Sequence, residues 1–253
     1  MIHDLQKASM WKRLSAYLFD IILLAILAVG IALLLSTLLG YDAYVEKLEG
    51  YYAKYEEQYG VDFNISEEEY NKLEADELEN FNKAYEAFSA DKDMSHTYGM
   101  ILSLTFVILV FSILVAYLVL EFTVPLLFKN GQTLGKKVFG VALMRVDGVK
   151  ITPLLLFIRT ILGKYTLETM VPVLIVVMLY FGIVGLTGVI ILGLLLLMQI
   201  IMMAATHTNS AIHDMLSSTV AVDMASQMIF DSKEAMLEYK KKLHADSVSG
   251  SDY

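Results

Sequence analysis

Long apolar runs, each broken by one charge at most, dominate the chain. From Leu14 to Leu39 the charged residue is Asp20, from Met100 to Phe128 it is Glu121, and Val171 to Thr206 carries none. A helix crossing ~30 Å of hydrocarbon needs ~20 mostly apolar residues. These runs therefore predict membrane spans rather than core helices. The last run would be ~54 Å long as one helix, too long for one crossing. Gly182, Gly185 and Gly188 mark a turn at its middle, and Tyr165–Met170 extends the first half. The pattern predicts an all-α membrane protein with four transmembrane helices and an extracytoplasmic helical hairpin inserted between helices 1 and 2.

The predicted boundaries follow from these runs. Residues 1–40 hold the N-terminus and first span, 41–98 the insert, and 99–128 the second span. Residues 129–164 form a cytoplasmic loop, 165–206 the paired third and fourth spans, and 207–253 a cytoplasmic tail. Lys7, Lys12 and Arg13 precede the first run as they would in a secretory signal. Its length, Asp20 within it and the lack of a small-residue cleavage site before Tyr41 predict a retained helix instead.

Within the insert, Tyr44, Leu48, Tyr51 and Tyr55 recur at helical spacing, and Gly60 is a natural stop. Ser66 and Glu69 form a capping box expected to start a second helix, with Leu73, Leu78, Phe81, Tyr85 and Phe88 as its apolar stripe. The two stripes are expected to pack on each other, each helix extending a membrane helix. On the cytoplasmic side, Val138–Val146 and Val149–Thr152 flank Asp147-Gly148, which predicts a hairpin with a type I′ turn. Leu154–Lys164, punctuated by Arg159 and Lys164, suits a helix lying at the interface. Asp231 and Glu234 predict a tail helix to about His244, with Ser247–Tyr253 disordered.

Charge changes the picture in one respect. The net charge of −9 is misleading, because residues 41–98 hold sixteen Asp and Glu against five Lys. The rest of the chain is close to neutral. Lys7, Lys12 and Arg13 before the first span, and seven Lys and Arg between the second and third, predict that both segments are cytoplasmic. Four spans return Lys233, Lys240, Lys241 and Lys242 to the same side. The chain has no cysteine, which excludes disulfides and thiolate chemistry. Nucleic acid is not an expected partner.

The candidate chemistry lies in a few polar residues. Arg13 and Asp20 are seven residues apart, so they share a helix face at ~10 Å axial separation. An Asp inside hydrocarbon costs roughly 2.5–3.5 kcal/mol. It must face the bundle, water or a cation, or be protonated, and a structural hydrogen-bonded Asp and an ion-binding one remain open readings. Glu121 falls in the same layer if the first two spans form a hairpin, and two close carboxylates bind a cation or share a proton. Gly131-Gln132-Thr133-Leu134-Gly135-Lys136-Lys137 lacks the Walker spacing and the following hydroxyl. It reads as a turn leaving the membrane, with Lys136 near lipid phosphates. His213-Asp214 has its nearest histidine, His207, on another face, so no metal site is expected. Nothing assembles a nucleophile, base and oxyanion pocket, so neither enzyme activity nor a cofactor is expected.

Lys12-Arg13-Leu14-x-Ala16-x-x-x-Asp20, then Gly131-Gln132-Thr133-Leu134-Gly135-Lys136, then His213-Asp214 with Ser218-Thr219-Val220-x-Val222 resemble, in that order, the RDD family of bacterial multi-pass membrane proteins. Carried over by motif, the family's arginine and two aspartates are Arg13, Asp20 and Asp214. Arg159 with Gly163-Lys164 is similar to a pattern in some members. The resemblance covers about residues 7–40 and 100–222 and excludes the insert and tail. The chain departs from it at Thr208–Ile212, where members are often basic.

The resemblance implies one of two roles in the bacterial cytoplasmic membrane. One is exchange of Na+ or another monovalent cation for a proton. Asp20, helped by Glu121, would bind the exchanged ions, and Arg13 with Asp214 would form a gate or brace. The other is a non-transporting scaffold or regulator whose insert docks another membrane protein, such as a protease. Four helices are few for a transporter, and no internal repeat is visible, so transport implies a homo-oligomer.

Overall fold

Four helices are long and apolar enough to cross a membrane in this computed structural model, which describes residues 5–249. They are α1 (Met10–Leu39), α5 (Lys92–Phe128), α7 (Pro153–Tyr180) and α8 (Gly185–Ala205). Leu33, Leu38, Leu186 and Ile190 are among the many apolar side chains they expose, as lipid contact requires. The apolar run after Val171 does divide. Helix α7 ends at Tyr180, and Gly182 (φ +69°) and Gly185 (φ +49°) supply the left-handed turn into α8. The third span differs from expectation at its start. Residues 154–164 do not form a separate interfacial helix but are the first turns of α7.

Helix α7 widens into i→i+5 bonded turns over Ile158–Met170, and α5 does so over Leu118–Thr123. Threonine hydroxyls occupy carbonyls five residues back: Thr123 on Leu118 and Thr166 on Ile161, both at 2.8 Å. The widening changes which residues share a face. Nine residues is two and a half α-helical turns, which would set Arg159 opposite Glu168. In the wider helix nine residues is about two turns. Arg159, Lys164 and Glu168 therefore reach one side.

The chain forms two compact units. One is Val29–Ser112; the other takes the residues up to Ala28 and from Ile113 onward. The Val29–Ser112 unit contains α2 (Tyr41–Tyr59), the single turn α3 (Glu67–Tyr70) and α4 (Ala75–Ala90). Gly60 stops α2 in the left-handed conformation, its N–H donating to the Glu56 carbonyl at 2.8 Å. Ser66 and Glu69 do form a capping box, but it starts only α3. The second long helix begins at Ala75. Tyr55, Phe88 and Met94 form a buried core with Leu48, Tyr51 and Phe63 against it, so most of the tyrosine stripe is packing. The Phe63 ring lies 5.5 Å from both Phe81 and Phe88. Tyr85, expected in this stripe, is instead 59% exposed. Phe88→Ala is expected to cost ~3–5 kcal/mol here. Limited proteolysis of the variant should cut within residues 41–98 under conditions that spare the wild type.

In the other unit, β1 (Val141–Arg145) pairs antiparallel with β2 (Thr219–Asp223), from Val141 opposite Asp223 to Arg145 opposite Thr219. The expected local hairpin is reduced to one bridge, Met144 to Lys150. Its turn is not type I′, since Gly148 (φ +88°) but not Asp147 takes positive φ. Residues 6–8 flank the far side of β2, with the Asp223 N–H on the Gln6 carbonyl at 3.0 Å. Both faces of the ribbon are covered: Val141, Leu143 and Ala221 pack on one side, Ala142, Met144, Val220 and Val222 on the other. The short helices α6 (Leu134–Val138) and α9 (Ile212–Leu216) precede the two strands. The tail helix α10 (Lys233–Ser249) runs past His244. Its capping hydroxyl is Ser232, bonded to the Ala235 N–H at 3.2 Å, while Asp231 pairs with Lys150 at 2.5 Å. Of the tail expected to be disordered, residues 247–249 belong to α10, and 250–253 lie outside the described residues.

Candidate functional site

Three buried clusters of charge lie among α1, α5, α6, α7 and α9. The first joins α1 to the Gly131–Lys136 loop. Asp20 accepts the Gly135 N–H at 2.7 Å and the Thr133 hydroxyl, and Lys136 Nζ lies 4.0 Å from its Oδ2. Thr133 also caps α6 through the Lys136 N–H. Gly131 turns with φ +68°, and Gln132 donates to the Val141 carbonyl at 2.7 Å, tying the loop to β1. Gly135 permits the close approach, because an added Cβ would fall on the Ala16 carbonyl oxygen and 2.9 Å from the Asp20 carboxyl carbon. The segment read as a turn toward lipid phosphates is thus a buried anchor for Asp20. Lys136 itself is only 8% exposed.

The second cluster centres on Asp214. Arg159 donates to its Oδ1 through Nε at 3.1 Å and Nη2 at 2.8 Å, and Arg13 reaches Oδ2 at 3.5 Å. The Ala211 N–H and the Thr219 hydroxyl add bonds at 3.3 and 3.4 Å. Arg13 and Asp214 are thus brought together, as the longer of the two arginine contacts. Burial alone would raise the Asp214 carboxyl. His213 in its protonated form, Arg159 and Arg13 outweigh it and hold the group well below the usual carboxylate range. Each arginine keeps one buried atom, Nη1, without a hydrogen-bond partner.

The third cluster sits between α5 and α7. Glu121 Oε1 accepts from Lys164 at 2.6 Å, while its buried Oε2 has no partner. The Thr160 hydroxyl donates to the Glu121 carbonyl at 2.9 Å, which Pro125, four residues on, has no N–H to bond. Nearby, Glu168 accepts the His213 N–H at 3.1 Å, faces His213 Nδ1 at 2.7 Å and accepts from Gln199 at 3.1 Å. Burial lowers the His213 imidazole pKa against the opposing pull of Asp214 and Glu168. Gly163 lets α7 meet α9 closely, since a Cβ there would lie 2.5 Å from His213 Cβ.

Asp20 and Glu121 do share a layer, lining a cavity of ≈30 Å³ with Tyr17, Lys164 and Glu168. Each carboxylate has its own lysine rather than a shared proton between them. A larger cavity of ≈430 Å³ adjoins Arg13, Asp20, Lys136, Arg159, Lys164 and Asp214. Burial, then Lys164, pulls the Lys136 ammonium down to about 8, with Arg159 acting the same way and Glu121 and Asp20 opposing.

Sequence reasoning missed Glu168 entirely and placed Arg159 and Lys164 at an interface. The available signal was three charges within one otherwise apolar 28-residue helix, which lipid does not tolerate on its outside. Gly135→Ala and Gly163→Ala are each expected to lower stability by about 1–3 kcal/mol through overpacking. Gly193→Ala, where a Cβ meets nothing within 4 Å, should leave it unchanged. Thermal unfolding of the three variants in detergent checks this.

The geometry ties together the motifs that carry the family resemblance: Arg13 and Asp214 in one cluster, Asp20 with the Gly131–Lys136 loop in another. No curated protein and no solved structure shows significant similarity to the chain. The model of the RDD family matches residues 7–218, spanning all four membrane helices and each of these clusters, and the chain belongs to that family of membrane proteins.

Proposed function

We propose that the protein exchanges a monovalent cation for a proton, the cation entering the smaller cavity beside Glu121 and the proton leaving Lys136. The observation that carries this reading is the buried Glu121 Oε2 atom, a carboxylate oxygen without a partner beside a cavity of ≈30 Å³. That is the scale of one water or one stripped small cation, since a single water needs ~10–15 Å³. Asp20 has both oxygens engaged by the loop, so it serves as the neighbouring counter-charge.

Charge balance supplies the coupling. Arg13, Lys136, Arg159 and Lys164 face Asp20, Glu121, Glu168 and Asp214, four against four with His213 neutral. An added cation is an uncompensated buried charge unless a proton departs. Lys136, held at about 8 and facing Asp20, Glu121, Arg159 and Lys164, gives up its proton most readily. Raising the pH toward 8 discharges Lys136, leaves Asp20 short of its counter-charge and raises cation affinity. Reciprocally, a bound cation lowers the Lys136 pKa further and releases the proton. In this reading the Arg13 and Asp214 end of the bundle is cytoplasmic, following the positive residues beside the spans.

Calorimetry of NaCl, LiCl and KCl against choline chloride, in buffers of different protonation enthalpy, tests it. Expected are about one proton released per cation, affinity rising about tenfold per pH unit up to about 8 and levelling above, and at least tenfold loss in Glu121→Gln. Unchanged binding in that variant, or binding without proton release, would contradict the reading. A second reading, a scaffold that docks another membrane protein through residues 41–98, draws support from Val29–Ser112 being a unit with its own core. It predicts loss of a co-purifying membrane protein when that segment is removed.

A further inference from the structure

We infer that His213 is a second proton-binding site, and that its protonation from the larger cavity shuts the cation out of the smaller one. The effect on the cation rests on the exchange reading above, whereas the proton site rests on the contacts of the ring itself. His213 lines the ≈430 Å³ cavity and is buried. Each ring nitrogen faces a carboxylate: Nδ1 lies 2.7 Å from Glu168 Oε2, and Nε2 lies 3.5 Å from Asp214 Oδ1. A neutral imidazole has one N–H for its two nitrogens. With that N–H on Nδ1 donating to Glu168, the Nε2 lone pair is left opposite a carboxylate oxygen, acceptor against acceptor. A proton on Nε2 turns this contact into a charge-assisted hydrogen bond. The ring has little room to turn away. Glu168 also accepts the His213 backbone N–H at 3.1 Å, and α7 approaches so closely that a Cβ at Gly163 would lie 2.5 Å from His213 Cβ.

The charged groups around the ring are Glu168 and Arg159 of α7, Asp214 of its own helix and, through Asp214, Arg13 of α1. Gln199 of α8 and Thr219 of β2, which bond the two carboxylates, are neutral. Burial and Arg159 oppose the proton, while Asp214 and Glu168 favour it, and the balance lies below the ordinary imidazole value of 6.5. His213 is therefore neutral at pH 8 and takes its proton in the acid range. That proton upsets the buried balance, making five cations against four carboxylates. It also draws on Asp214 Oδ1, the oxygen that Arg159 holds through Nε and Nη2. A cation arriving beside Glu121 then meets an excess of positive charge, and loading it requires the His213 proton to leave as well as that of Lys136. His213 thus acts as a brake on the acid side, below the range in which Lys136 works.

The test uses the full-length protein in detergent, with histidine labelled by nitrogen-15 in the imidazole ring. His213→Gln, whose amide can still donate to Glu168, identifies the His213 signals among those of the five histidines. If that variant does not fold, the Nδ1–H tautomer, the minor form in exposed histidines, sets the ring apart. The wild-type ring should carry Nδ1–H at pH 8 and protonate below pH 6.5. NaCl, against choline chloride, should lower its midpoint by about 0.5 pH unit or more, as reciprocal linkage requires. In calorimetry, cation affinity below pH 6 should fall more than about tenfold per pH unit in wild type and only about tenfold in His213→Gln. A ring that stays neutral down to pH 5, a midpoint unmoved by NaCl, or equal slopes in the two proteins would overturn the brake while cation binding at pH 8 persists. Wild type that binds no cation at pH 8 would overturn the exchange reading and the brake with it.

Discussion

Asp214→Asn is expected to destabilise the protein by ~3–5 kcal/mol, the largest effect of any single charge removal in the bundle. Asp214 is 1% exposed and is the common acceptor for Arg159 and Arg13. The asparagine keeps the shape but leaves two buried guanidiniums facing an amide. Arg159 loses more than Arg13, because its two bonds, at 3.1 and 2.8 Å, both go to this carboxylate. Chemical or thermal unfolding in detergent measures the loss. The double variant Asp214→Asn with Arg159→Met should recover part of it, since removing both partners of a buried pair costs less than removing one.

Lys136→Gln is expected to remove the pH dependence of cation affinity while leaving binding itself in place. In the wild type the ammonium titrates at about 8, so affinity climbs as the pH rises toward that value and flattens beyond it. With glutamine there is no proton to release, and affinity should stay flat from pH 6 to 9 near the wild-type high-pH limit. Stability moves with the opposite partner of the same linkage. A lysine whose folded pKa lies below its unfolded value of ~10.4 binds fewer protons folded than unfolded between the two values. Wild-type stability therefore rises with pH across that window, and the glutamine variant should lack the rise. Unfolding at pH 8 and pH 10 reads this out.

The membrane architecture was legible because lipid imposes a coarse rule. Runs such as Leu14–Leu39 and Val171–Thr206 have one solution in hydrocarbon, and Gly182 and Gly185 mark where the second must turn. Asp20 was legible for the same reason, as a charge inside an apolar run, whereas Arg13 and Asp214, outside the runs, were legible through the motifs that carry the family resemblance. The partners were not. Arg159, Lys164 and Glu168 converge only because α7 widens at Ile158–Met170. At α-helical spacing Arg159 and Glu168 point apart, and no composition signal announces the wider turns. The pairing of Val141–Arg145 with Thr219–Asp223 was hidden by its separation along the chain. Asp147-Gly148 offers a nearer turn, and a ribbon covered on both faces shows no alternation to read. The role of Gly135 is likewise invisible until the Ala16 carbonyl is beside it.

The most direct measurement is cation-driven proton movement across liposomes containing the purified protein. An outward-directed Na+, Li+ or K+ gradient should drive protons inward in wild type, reported by a pH-sensitive dye and unaffected by collapsing the membrane potential. The rate should rise as the pH approaches 8 and fall at least tenfold in Glu121→Gln. Proton movement absent for all three cations with correctly folded wild type, or equal in Glu121→Gln, would contradict cation–proton exchange at this site.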